Sequence, residues 1–157
     1  MDRELLLAVY ASTRAAELAQ VQWAPGAREA FLRQQFEAQD AYYREYYAGA
    51  SFDVIEVDGR AAGRLYVDRW PYEIRIVDVA LLPEFRGRGI GERLLRELIA
   101  EAEASGRSLT IHVEQGNPAR RLYERLGFVP VAERGHNTLM SAGPPLPADA
   151  TYEMTAS

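Results

Sequence analysis

The stretch Leu82–Leu98, LPEFRGRGIGERLLREL, decides how the rest of the chain is read. A hydrophobic run, Ile74–Leu82, leads into it. After it, Ile90, Leu94, Leu95, Leu98 and Ile99 recur at helical spacing. Between the two lies Arg86-Gly87-Arg88-Gly89-Ile90-Gly91. The order is strand, glycine-rich turn, helix start. Glycines let the backbone turn with positive φ and bring its N–H groups close to a ligand. The first N–H groups of a helix lack intrahelical partners, and the helix dipole adds partial positive charge there. Arg86 and Arg88 add whole charges. The pattern reads as an anion site, and a diphosphate suits it best. The plainer alternative is a strand-to-helix turn carrying two solvated arginines.

Two common diphosphate motifs do not fit. In G-x-G-x-x-G the third glycine falls on Glu92 if counted from Gly87, and on Leu94 if counted from Gly89. A P-loop needs a lysine after its glycines, and this chain has no lysine. What remains is R-x-x-G-x-G, here Arg86-x-x-Gly89-x-Gly91. In these residues the chain resembles the GNAT superfamily of N-acetyltransferases, whose motif binds the pyrophosphate of acetyl-CoA. The resemblance implies cofactor contacts from Leu81, Leu82, Arg86, Gly87, Arg88, Gly89, Ile90 and Gly91.

A second segment extends the likeness. Asn117 to Phe128, NPARRLYERLGF, is similar to the family's N-x-A-x-x-x-Y-x-x-x-G-F. One helix and one strand separate the two motifs, as the family requires. The resemblance covers roughly residues 52–131. It implies that Asn117 contacts the cofactor near its pantetheine arm and that the Tyr123 hydroxyl faces the thioester sulfur. It also implies a backbone N–H near Leu81 that polarises the acetyl carbonyl. Packing against a neighbouring helix is the plain reading of Tyr123.

Acetyl transfer to an amine needs a neutral amine, a polarised carbonyl and a protonated leaving thiolate. A phenol titrates near about 10 and a thiol near about 8.5, so Tyr123 can donate to the thiolate only with help from its site. Three residues are candidates for the base. Asp78 is an acid inside an apolar strand, where an unpaired carboxylate is costly; a buried hydrogen-bonding role is the alternative. His112 lies on the next strand, shortly before Asn117, near where some family members carry a catalytic carboxylate, and imidazole titrates in a suitable range. A satisfied strand histidine is its plain reading. Glu73 precedes the apolar strand and reads first as a solvated loop carboxylate, second as a base acting through water. Many family members use a water chain and no single base.

Composition sets the frame. At 157 residues the chain is long enough for one domain with a real core. The formal charge of -5 gives no electrostatic case for nucleic acid as a partner. Cysteine is absent and the two histidines lie apart, which argues against disulfides, a thiol nucleophile and a metal site. No apolar stretch has membrane length and no signal-peptide pattern is visible, so a cytoplasmic location without membrane contact is the default.

In order, the pattern predicts helices over 2–18 and 27–47, the latter with an aromatic cluster of Tyr42, Tyr43, Tyr46 and Tyr47 and a stop at Gly49. The tyrosines read as packing residues or as the lining of a substrate pocket. Strands follow over 52–57 and 61–68 around an Asp58-Gly59 turn, and then over 74–82. The glycine-turn helix runs to Ser105-Gly106. A strand over 109–113, a helix opened by Asn117 as N-cap with Pro118 at N1 and stopped by Gly127, and strands over 128–131 and 136–141 complete the pattern.

The expected fold is α/β with a mixed, mostly antiparallel sheet, helices on both faces, and acetyl-CoA in a cleft between the two central strands. One domain over 1–141 is expected, with 142–157 as a Pro/Ala-rich tail; the alternating segment 151–155 is the alternative closing strand. The family usually opens with a strand before its first helix and this chain does not. That leaves a sheet edge open to pairing with the tail or with a second copy in a homodimer. The expected function is transfer of an acetyl group from acetyl-CoA, without a metal, to the amine of a small molecule or peptide by direct attack in a ternary complex. A non-catalytic CoA-binding sensor or subunit, and an acyltransferase using a longer acyl-CoA, are the rivals.

Overall fold

Leu6, Val9, Tyr10 and Leu18 form the buried side of the first helix, α1 (Arg3–Leu18), in the computed structural model, which describes residues 3–145. That apolar side packs on the second helix, α2 (Ala27–Tyr46), whose buried residues are Leu32, Phe36 and Asp40. The rings of Tyr10 and Phe36 lie 6.3 Å apart, and Arg3 reaches across to Glu37 and Asp40. The helix ends at Tyr46, three residues before Gly49. The terminal cap is Tyr47, whose N–H donates to the Tyr43 carbonyl, and its buried ring is held in the core instead of extending the helix.

A tight turn at Asp58-Gly59, both with positive φ, joins β1 (Ser51–Val57) to β2 (Arg60–Arg69). Pro71 and Tyr72 then turn the chain into β3 (Glu73–Leu81), closed by paired backbone bonds between Trp70 and Glu73. After the glycine turn come α3 (Ile90–Ser105), β4 (Ser108–Glu114), α4 (Arg120–Arg125), β5 (Val129–Arg134) and β6 (Asn137–Ala142). Leu95, Leu98 and Ala102 form the buried face of α3. The last strand runs one residue into the stretch assigned to the tail, and the alternative closing strand at 151–155 lies outside the described residues.

The strands form one mostly antiparallel sheet in the order β1-β2-β3-β4-β6-β5. β3 and β4 run parallel, from Glu73 opposite Ser108 to Ile76 opposite Ile111. β6 inserts between β4 and β5, antiparallel to both. β5 is thus an edge strand, with Val129 and Val131 exposed, while every residue of β6 is buried. Along β3, residues 73–76 are buried and residues 77–81 half-buried. The described residues fall into two compact units, 3–66 with 78–88 and 67–77 with 89–145.

Candidate active site

The glycine turn has the backbone its sequence demands. Pro83–Phe85 form one turn of 3-10 helix, and Phe85 is buried beneath it. Gly87 and Gly89 both take positive φ, 75° and 79°, and a Cβ at either would point into open space. Gly89 is the N-cap of α3 and offers no side chain to the first N–H groups of that helix. The loop therefore exposes bare backbone at a helix start, followed by Ile90 and Gly91, as an anion requires. Arg86 and Arg88 are exposed, and neither has a carboxylate partner among the described residues. These features fit a phosphate group. Glu92, in the first turn of α3, carries the opposite charge, but Arg96 and Arg125 bond to it and hold its carboxyl below the usual range.

Arg86 also does something the motif alone does not reveal. Its Nε–H donates to the Leu81 carbonyl at 3.0 Å and its Nη2 to Ser12 Oγ at 3.2 Å. The same side chain that adds charge to the turn thus fastens the end of β3.

That strand end carries a register break. Trp70 pairs with Glu73 at the turn, and an unbroken ladder would then set Ala62 opposite Leu81. Instead the Ala62 carbonyl accepts the N–H of Leu82, at 2.7 Å. One extra residue is therefore taken up along β3, which is a β-bulge and leaves a backbone group outside the ladder. Gly63 is what makes room. A Cβ there would lie 2.1 Å from the Ala80 carbonyl oxygen and 2.9 Å from the Leu81 Cα. Sequence reading passed over Gly63, although a lone glycine inside a strand is a signal of close backbone approach.

Asp78 lies on β3 in a polar cluster. Arg64 Nη2 donates to its Oδ2 at 2.5 Å and Tyr43 Oη at 3.2 Å, while the same Arg64 nitrogen donates to Gln39 Oε1 at 2.8 Å. Burial pushes the Asp78 carboxyl above its usual range, against the opposing pull of Arg64. The Tyr43 phenol is raised as well, by burial first and by Asp78 second. Asp78 thus has the hydrogen-bonded setting that was its alternative reading. Of the four clustered tyrosines, Tyr43 touches Asp78 and stacks edge-on against buried Tyr66, whereas Tyr42 and Tyr46 pack on each other.

Glu73 and His112 belong to a second network. Glu73 is buried, neither a solvated loop residue nor open to water. It accepts from Arg75 Nη2 at 2.9 Å and from Thr110 Oγ1 at 2.5 Å. The parallel pairing of β3 with β4 sets Arg75 opposite Thr110 and so closes this group. Arg75 Nη1 lies 3.1 Å from His112 Nε2, and Asn137 Oδ1 lies 3.2 Å from His112 Nδ1. A guanidinium can only donate, so Nε2 accepts and the ring proton sits on Nδ1, donated to Asn137. Burial first and Arg75 second hold the imidazole below its ordinary pKa. His112 is neutral, with both nitrogens engaged.

Tyr123 is buried on α4, its ring 5.6 Å from that of Phe128 and edge-on to it. Its carbonyl accepts the N–H of Phe128, locking the helix end that Gly127 terminates. Asn117 is not the N-cap. α4 begins at Arg120 with Ala119 as cap, and Asn117 Oδ1 accepts the Ala119 N–H at 2.8 Å. The asparagine closes its own local turn, a recognised competitor of capping. Its side chain stays exposed ahead of the helix. Among the described residues no group of acidic or histidine side chains could hold a metal, and no helix is long and apolar enough to cross a membrane.

Comparison with known proteins agrees with this geometry. A Bacillus subtilis (strain 168) protein, provisionally named a ribosomal protein bS18-alanine N-acetyltransferase, is 36% identical over 99 residues, which are 59% of this chain and 64% of that protein. The match therefore spans just under two thirds of that relative's length. Among solved structures, the PaiA N-acetyltransferase from Thermoplasma acidophilum, in complex with coenzyme A, superposes with a TM-score of 0.66 at 17% identity, over 89% of this chain and 91% of that one. The ribosomal-protein-S18-alanine N-acetyltransferase from Escherichia coli gives a TM-score of 0.59 at 19% identity, over 97% and 95%. At these identities the two structures speak for the fold. The description of the acetyltransferase (GNAT) family matches residues 15–128. With the fold, the glycine turn and that match in agreement, the chain belongs to the GNAT family of acetyltransferases.

Proposed function

We propose that this protein transfers the acetyl group of acetyl-CoA to a primary amine by direct attack in a ternary complex. The observation that carries the reading is the turn from Arg86 to Gly91: two glycines with positive φ, bare backbone at the start of α3, and two arginines without carboxylate partners among the described residues. In this reading Arg86, Gly87, Arg88, Gly89, Ile90 and Gly91 hold the diphosphate, with Asn117 along the pantetheine arm. Acetyl-CoA would supply the activated acetyl group. The bulge in β3 supplies the N–H that polarises the carbonyl. It belongs to Leu81 and not to Leu82, whose own N–H is spent on Ala62. The Tyr123 hydroxyl keeps a proton for the departing thiolate.

Deprotonation of the amine runs through water. Asp78 is paired with Arg64, Glu73 with Arg75, and the free lone pair of His112 is turned to Arg75. Each of the three is thus engaged by a neighbouring arginine, and in this reading they serve as framework and not as the base. We read residues 1–141 as one catalytic domain. For the acceptor, two of the proteins named above are named as alanine N-acetyltransferases of a ribosomal protein, the Bacillus subtilis one provisionally, so a peptide amino terminus is the first class to try. Thiol release should be followed with peptides beginning in alanine, lysine side chains in amino-blocked peptides, and small free amines. Acetyl-CoA-dependent release with one class supports the reading. Tight acetyl-CoA binding with no release in any class favours a binding module.

A further inference from the structure

Arg60 lies outside both motifs, at the start of β2 just after the Asp58-Gly59 turn. Its guanidinium carbon sits 5.1 Å from the centroid of Phe85, the buried ring under the glycine turn. Arg88, from the turn itself, sits 5.3 Å from the same centroid. Two cations from two separate elements thus converge on one ring. Attraction to the ring holds each in place. Both are exposed, and neither has a carboxylate partner among the described residues. Many arginines of this chain are matched to acids, among them Arg3, Arg14, Arg44, Arg64, Arg69 and Arg75, although Arg28 and Arg121 also form no ion pair among the described residues. The pair at Phe85 is the arrangement expected where the counter-ion comes from outside.

We propose that Arg60 is a further phosphate-binding residue, forming with Arg88 across Phe85 a cationic clamp for the phosphates of the acyl donor. The inference rests on the functional reading above and adds a residue that no motif supplies. Guanidinium is suited to the task because its planar donors match phosphate oxygens. The hairpin turn brings Arg60 to Phe85, so the anion site is built from two strand ends as well as the glycine turn.

The test compares donors that differ only in phosphate. Wild type, Arg60→Ala and Arg60→Lys are assayed with acetyl-CoA, acetyl-dephospho-CoA and acetyl-pantetheine, which carries no diphosphate. Arg60→Ala should lower the ratio of kcat/KM for acetyl-CoA to that for acetyl-pantetheine about tenfold, with Arg60→Lys recovering part of it. A loss shared by both nucleotide donors assigns Arg60 to the diphosphate, and a loss confined to acetyl-CoA assigns it to the 3′-phosphate. Either supports the clamp. Equal losses with all three donors, or none, overturn it. Failure of wild type itself to bind acetyl-CoA by calorimetry would instead overturn the functional reading beneath it.

Discussion

Replacing Gly63 by alanine adds one methyl group where the structure has no place for it. The new Cβ would lie 2.1 Å from the Ala80 carbonyl oxygen, and ordinary contact begins at 3.4 Å, so the two strands must part by about 1.3 Å. The obstacle is backbone, which cannot rotate aside as a flexible side chain would. Overpacking of this kind costs about 1–3 kcal/mol of stability. The larger effect should fall on the chemistry. The displaced carbonyl precedes Leu81, whose N–H is the proposed oxyanion donor, and loss of one such donor lowers kcat by about 10²–10³. A misplacement of about 1 Å is enough for a loss near 10². Coenzyme A without its acetyl group has no carbonyl to place, so its affinity should stay within a few-fold of wild type. The assay is steady-state kinetics at saturating donor, beside calorimetry with coenzyme A and urea unfolding. Wild-type kcat in a Gly63→Ala protein of undiminished stability would refute the reasoning, because the strand end would then tolerate what the geometry forbids.

Other substitutions probe the remaining parts. Tyr123→Phe keeps the ring against Phe128 and removes only the hydroxyl. It should lower kcat by about 10²–10⁴ with donor affinity nearly intact, and full kcat with a good acceptor would show that Tyr123 only packs. Gly89→Asp should abolish acetyl-CoA binding, while Arg86→Ala should weaken it by about 1.5–3 kcal/mol and also lower kcat, since Arg86 holds the Leu81 carbonyl. Calorimetry showing unchanged affinity in both would remove the phosphate assignment. Asp78→Asn leaves Arg64 buried without its anion and should cost about 3 kcal/mol or more in urea unfolding. His112 has a depressed pKa, so the unfolded chain binds its proton first. Its contribution to stability is complete above about pH 6.5 and is lost as the pH falls through that value toward the folded pKa. His112→Gln should flatten that part of the stability profile while leaving any acidic limb of the rate profile in place. Disappearance of the limb would identify His112 as the base.

Much of the architecture was legible because it rests on short-range chemistry. The glycine turn, the Asp58-Gly59 hairpin and the apolar stripe of α3 are each written within a few residues. The capping error at Asn117 is also local: an asparagine can close its own turn as readily as it caps a helix, and only the geometry shows which it does. What was hidden depends on distant partners. Glu73 looks like a loop carboxylate until parallel pairing puts Arg75 beside Thr110, 35 residues away. Asp78 looks like an isolated acid until Arg64 and Tyr43 meet it. The insertion of β6 between β4 and β5, which leaves Val129 and Val131 exposed on an edge, is likewise set by pairing between separate segments. Gly63 was legible in principle, as the one glycine within the β2 stretch.

The central claim is direct acetyl transfer to an amine, and mass spectrometry of a single mixture tests it most directly. The protein is incubated with acetyl-CoA and a peptide beginning in alanine, and both peptide and protein are weighed as free thiol is released. The account predicts one acetyl group on the peptide's amino nitrogen for each thiol released, and none on the protein. Acetyl-CoA that binds yet gives no acetylated peptide, or acetyl groups that accumulate on the protein first, would contradict it.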